Sequence, residues 1–91
     1  MGGWKIDQGF TVRVLVIEDD LAIARQVSET LRQFRYVVDV AHDGVEGQFL
    51  GDTEAYDAVV LDLGLPRLDG LSVLRQWRQT GRAMPVLILT A

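Results

Sequence analysis

Cysteine is missing from all 91 residues. That excludes a disulfide framework, a thiolate metal site and thiol catalysis, and it is compatible with a reducing compartment. Lysine is almost missing, with Lys5 alone, and the nine basic residues are scattered against thirteen acids, for a net charge of −4 and a pI of about 4.7. Without a basic stripe to neutralise phosphates, direct nucleic-acid binding by this chain is not expected. No apolar run approaches the roughly 18 residues that span a bilayer, and the N-terminus lacks the basic-then-apolar order of a secretory signal. The expectation is a cytoplasmic protein with no membrane contact.

What is present is the composition of an ordinary globular domain, 48% hydrophobic and 24% charged. The length suits one domain and leaves no room for two. Residues 1–10 show no clear periodicity and read as an N-terminal extension, so the folded part is expected over 11–91.

The stretch Ala58-Val59-Val60-Leu61-Asp62-Leu63-Gly64-Leu65-Pro66 organises the rest. A continuous apolar run that stops at one aspartate, before glycine and proline, reads as a buried strand delivering a carboxylate to a loop. Val12 to Ile17 does the same earlier and ends in Glu18-Asp19-Asp20. Between them, Leu21, Ala24, Val27, Leu31 and Phe34 recur at helical spacing, with Asp20 placed to cap that helix. Tyr36 to Val40 reads as a strand, His42-Asp43-Gly44 as a turn with His42 a loop residue, and Val45 to Leu50 as a weak helix ended by Gly51-Asp52.

After Asp69-Gly70, the residues Leu71, Leu74 and Trp77 mark another amphipathic helix, with Arg75 and Arg78 exposed and Thr80-Gly81 as its stop. Trp77 and Leu74 read as core. Met84 to Leu89 supplies a fourth strand, opened by Pro85. Strands alternating with helices through short turns predict an α/β fold, a doubly wound parallel sheet in the order 2-1-3-4. In that order the first and third strands are neighbours, which sets Glu18 and Asp19 beside Asp62.

Three carboxylates in one cleft repel. Two unit charges 4 Å apart cost about 1 kcal/mol in water and about 4 kcal/mol at an effective dielectric near 20. Such a cluster must protonate one member or recruit a cation, and a hard divalent ion such as magnesium suits an all-oxygen pocket. With the ion bound, Asp62 is placed to act as a nucleophile toward a phosphoryl group. Thr90, ending the fourth strand, is placed to donate a hydrogen bond to a phosphate oxygen.

Three motifs now line up. Val14-Leu15-Val16-Ile17-Glu18-Asp19-Asp20, then Val60-Leu61-Asp62-Leu63-Gly64-Leu65-Pro66-Arg67-Leu68-Asp69-Gly70, then Pro85-Val86-Leu87-Ile88-Leu89-Thr90-Ala91 resemble the receiver domain of bacterial two-component response regulators. The resemblance covers about Thr11 to Ala91, and the Asp-Leu-Gly-Leu-Pro wording is most similar to the branch with a winged-helix DNA-binding output. It implies a flavodoxin-like receiver fold in which Asp62 accepts a phosphoryl group from a sensor kinase histidine. It further implies that Asp19, Asp62 and the Gly64 carbonyl bind Mg2+, that Glu18 acts through a metal-bound water, and that Thr90 is the switch hydroxyl.

Receivers continue past the position of Thr90 with a fourth helix, a fifth strand preceded by a phosphate-pairing lysine, and a fifth helix, none of which this sequence contains. The expectation is a partial receiver whose fourth strand is an exposed apolar edge prone to self-association. A switching module, not a turnover enzyme, is the leading reading. The alternative is a truncated or engineered receiver fragment that acts only in structure or self-association. An aspartate-nucleophile phosphatase fits less well, because Gly64 stands where its second acid belongs. A flavin site fits less well too, because three acids follow the first strand where a phosphate-cradling loop is needed.

Overall fold

A computed structural model describes residues 11–89. The expected extension over 1–10, together with Thr90 and Ala91, lies outside the described residues. The chain runs β1 (Arg13–Ile17), α1 (Leu21–Gln33), β2 (Val37–Ala41), α2 (Gly44–Thr53), β3 (Ala58–Asp62), α3 (Gly70–Gln79) and β4 (Val86–Leu89). All strand pairs are parallel and the order is β2-β1-β3-β4. This is the expected doubly wound order, with β1 and β3 side by side.

Strand residues alternate between two apolar layers, as the two-residue period of a strand requires. Leu15, Ile17, Val59 and Leu61 point to one face and form a core with Ala41, Tyr56, Leu65, Val73 and Trp77. Val14, Val16, Val38 and Val60 point to the other face, where Val27 and Leu31 of α1 pack on them. Helices therefore cover both faces, α2 and α3 on one and α1 on the other. Trp77 is fully buried, in keeping with its core assignment.

Several local readings need correction. The second helix does not stop at Gly51 but runs to Thr53, because Gly51 is where α2 meets Trp77 and a glycine is needed for the close approach. In α3, Val73 takes the core position and Leu71 is exposed, since the buried face is set by the i, i+4 pair Val73 and Trp77. At the two ends of α1, Leu21 and the C-capping Phe34 are 67% and 69% exposed. The helix lies over β1 and β2, and only its middle residues reach the sheet. β2 starts at Val37, one residue later than read, and β4 at Val86.

Each helix is opened by an aspartate whose side chain accepts from backbone amides of the first turn. Asp20 accepts from Ala22 and Ile23, Asp43 from Glu46, and Asp69 from Ser72. The caps satisfy amides that the helix itself cannot. Because each strand feeds its helix through a short loop, these positive helix ends gather at the rim where the strands end.

A Cβ on Gly51 would lie 2.2 Å from Cζ2 of Trp77. Gly51→Ala is therefore expected to lower stability by about 1–3 kcal/mol through overpacking, read as a shift of the urea midpoint. An unchanged midpoint would show that α2 can move off the indole freely.

Candidate functional site

Residues Ile17 of β1 and Leu61 of β3 are register partners, so the residues that follow them meet at one rim. Glu18, Asp19 and Asp62 each offer a carboxylate oxygen within 4.8 Å of the other two. The cluster is graded in exposure: Glu18 is 5% exposed, Asp62 is partly buried and Asp19 is exposed. Sequence reasoning expected these three acids to meet, and they do.

Glu18 carries the strain of this arrangement. Its carboxyl is pushed up from 4.5 to about 7, chiefly because burial disfavours the anion, and further by the Asp62 and Asp19 carboxyls beside it. The backbone N–H of Asp20, which donates to Oε2 of Glu18 at 3.2 Å, pulls the other way. Asp20 itself points away into its capping role, with Oδ1 accepting from Ala22 and Ile23 at 2.9 and 3.1 Å. The third acid of the run is thus structural, as its position suggested.

The Asp62 side chain is held from the loop behind it. Its Oδ1 accepts from the Gly64 N–H at 3.0 Å, which brings Gly64 into the site. Gly70 closes the loop by donating its N–H to the Leu63 carbonyl at 3.1 Å. Its α-carbon packs so closely that a Cβ would sit 2.3 Å from the Asp62 carbonyl oxygen. The donors are oxygens only, they converge, and one is held partly protonated in the absence of a counter-charge. That set fits a hard divalent cation, which takes one or two carboxylates and keeps waters or phosphate oxygens in its other positions.

Two neighbours escaped the sequence reading. His42 Nδ1 lies 3.0 Å from the carbonyl oxygen of Glu18, and Arg67 Nη1 lies 3.3 Å from Asp43 Oδ2. The only signal for either was the Asp43-Gly44 pair ahead of a helix, which marks a turn but not what the turn touches.

Residues 14–91 match the family model for the response regulator receiver domain. This chain belongs to that family. Response regulator MprA of Mycobacterium ulcerans is 47% identical over 81 residues, which are 89% of this chain and 35% of that protein. The chain thus spans about a third of the length of the curated relatives it matches. Among solved structures, the receiver domain of the Francisella response regulator 1452 superposes with a TM-score of 0.86 at 38% identity, covering 89% of this chain and 67% of that one. The receiver domain of sensor histidine kinase PA1611 from Pseudomonas aeruginosa, solved with a magnesium ion coordinated in the active site cleft, gives 0.84 at 32% identity, covering 90% of this chain and 69% of that one. The receiver fold and family expected from the three motifs are therefore correct.

The raised Glu18 carboxyl links proton uptake to folding. Between about pH 4.5 and about 7 the folded protein holds a proton that the unfolded chain has released, so stability falls as pH rises through that window. In metal-free protein the thermal midpoint is expected to drop across it, corresponding to about 1–3 kcal/mol, and Glu18→Gln is expected to flatten the slope. A midpoint that climbs with pH in this range would contradict the burial of Glu18.

Proposed function

We propose that this chain is the phosphoacceptor module of a two-component response regulator, with Asp62 as the acceptor. The observation that carries the reading is the convergence of Glu18, Asp19 and Asp62 within 4.8 Å at the rim where two adjacent parallel strands end. In a receiver, this is the place where open α/β sheets bind their ligands.

The magnesium ligands proposed here are Asp19, Asp62 and the Gly64 carbonyl, with Glu18 acting through a water. When bound, the cation offsets negative charge on the transferring phosphoryl group. Asp62 supplies the nucleophile: a carboxylate oxygen forms a bond to phosphorus as the bond to the donor's histidine nitrogen breaks, and the electron pair of that bond stays on the imidazole. The Gly64 N–H, bonded to Oδ1, orients the carboxylate so that its other oxygen is free for either role. Glu18 keeps the pocket's proton inventory, since it is the member whose charge is least stable there. Thr90 is proposed as the switch hydroxyl.

No turnover chemistry is invoked beyond this transfer, so the chain acts as a switch and not as an enzyme with a released product. Phosphorylation adds about −1.5 to −2 charges and strong acceptor oxygens. The partner is a sensor histidine kinase, and the setting is cytoplasmic; among the described residues no helix is long and apolar enough to cross a membrane. The Asp-Leu-Gly-Leu-Pro motif is the ground for proposing a winged-helix DNA-binding domain as the output of the whole protein, and that domain would make the DNA contact.

A second proposed partner is another copy of the chain. Among the described residues β4 pairs only with β3, and Leu87 and Ile88 are 64% and 41% exposed. An open apolar strand edge is a template for pairing.

Two experiments check these readings. Incubated with magnesium and a small acyl phosphate or phosphoramidate, the chain is expected to gain the mass of one phosphoryl group, and Asp62→Asn to abolish the gain. No adduct in the parent at millimolar donor would overturn the phosphoacceptor role. In sedimentation velocity, the parent is expected to associate with rising concentration and Leu87→Lys to reduce it. A parent that stays monomeric throughout would remove the edge from consideration.

A further inference from the structure

The turn His42-Asp43-Gly44 carries none of the three acids, yet it touches both loops that do. On one side, Glu18 N–H donates to the Ala41 carbonyl at 3.0 Å, and His42 Nδ1 lies 3.0 Å from the Glu18 carbonyl oxygen. A carbonyl can only accept, so in this contact Nδ1 carries the proton. Glu18 is therefore bonded through its N–H to the last residue of β2, directly before the turn, and through its carbonyl to the turn itself.

On the other side the turn grips the loop that follows Asp62. Gly44 N–H donates to the Pro66 carbonyl at 3.3 Å, the same oxygen that accepts from Leu68 N–H at 2.8 Å. The second bond closes a three-residue turn centred on Arg67, whose φ is +69°. A non-glycine residue keeps this rare left-handed turn only where its surroundings over-determine it. Two contacts do so. The Arg67 guanidinium reaches Asp43 Oδ2 at 3.3 Å, while Oδ1 of the same Asp43 caps α2 through the Glu46 N–H at 2.8 Å. Gly44 packs so tightly that a Cβ there would fall 1.7 Å from the Leu68 carbonyl oxygen.

We propose that the His42-Asp43-Gly44 turn is the positioning element of the site, tying the Glu18 loop to the Asp62 loop and thereby setting the affinity of the acid cluster for a divalent cation. This deepens the phosphoacceptor reading and rests on it. The Asp43–Arg67 ion pair is largely exposed on the Arg67 side and adds little on its own. The backbone approach at Gly44 and the His42 bond carry the coupling. Groups that hold a metal ligand in place act on affinity without touching the metal, typically by about 10–100-fold.

The test is a magnesium titration of the 91-residue chain, followed by backbone amide shifts, at a temperature where circular dichroism shows each variant folded. Gly44→Ala forces a Cβ against the Leu68 carbonyl, and His42→Phe keeps a ring but loses the donor. Each is expected to weaken magnesium binding about tenfold. His42→Asn places an amide donor near the position of Nδ1 and is expected to restore binding to within about threefold of the parent. A purely structural role would lower the thermal midpoint and leave the affinity of the folded protein unchanged. Should Gly44→Ala fail to fold, the His42 pair decides. Equal affinity in parent, His42→Phe and His42→Asn overturns the inference alone, as does equal weakening by both His42 variants. A parent chain that takes up no magnesium overturns it together with the phosphoacceptor reading.

Discussion

Parallel pairing of β1 with β3 is the constraint on which the rest of this molecule depends. With Ile17 opposite Leu61, Glu18 and Asp62 emerge side by side whether or not their charges favour it. The sheet can impose this because the strands behind the acids are among the most deeply buried parts of the chain: Leu15, Val16, Ile17, Val59 and Leu61 are all essentially inaccessible. Each such side chain contributes about 1.5–3 kcal/mol by leaving water, and together they outweigh the repulsion of a few carboxylates. The residual conflict shows in Glu18, whose charged form is disfavoured where the fold holds it.

The same rim also receives the helix ends. Asp20, Asp43 and Asp69 open the three helices there, so acids of two kinds crowd one edge. Those that cap are engaged with backbone amides; Asp43 and Asp69 are held below the usual carboxylate range by such amide bonds first of all. Glu18 and Asp62, which follow the strands, also accept one amide each, from Asp20 and Gly64, but they converge with Asp19 within 4.8 Å and are left for a cation. The division of labour between neighbouring acids is therefore a matter of which carboxylates are crowded against one another.

Cover over the sheet is uneven. Among the described residues two helices pack on the Leu15–Ile17 face, whereas α1 alone packs on the Val14–Val16 face and reaches mainly β1 and β2. Leu87, which is the register partner of Val60, is consequently exposed although its sequence neighbours are those of a core strand. The exposed ends of α1, Leu21 and Phe34, have the same origin: an apolar stripe longer than the surface it has to cover. Glycine supplies the opposite adjustment, letting α2 approach Ile17 at Gly47 and Trp77 at Gly51, where any side chain would hold the layers apart.

The alternation of apolar strands and amphipathic helices determined the fold class and strand order on its own, because periodicity reports burial and burial selects the packing. It likewise determined that Glu18, Asp19 and Asp62 share a rim, since each follows directly from the end of a predicted strand. Helix limits in α2 and the buried face of α3 were not legible, for they depend on whether Gly51 breaks a helix or accommodates an indole, and on which of Val73 and Leu71 faces that indole. Nor could the sequence distinguish a turn that merely reverses the chain from one that braces two loops. His42 is far from Glu18 along the chain, Gly44 from Pro66 and Arg67 from Asp43, and only tertiary structure decided these contacts, because hydrogen bonds and close backbone approaches act through space and leave no periodic trace.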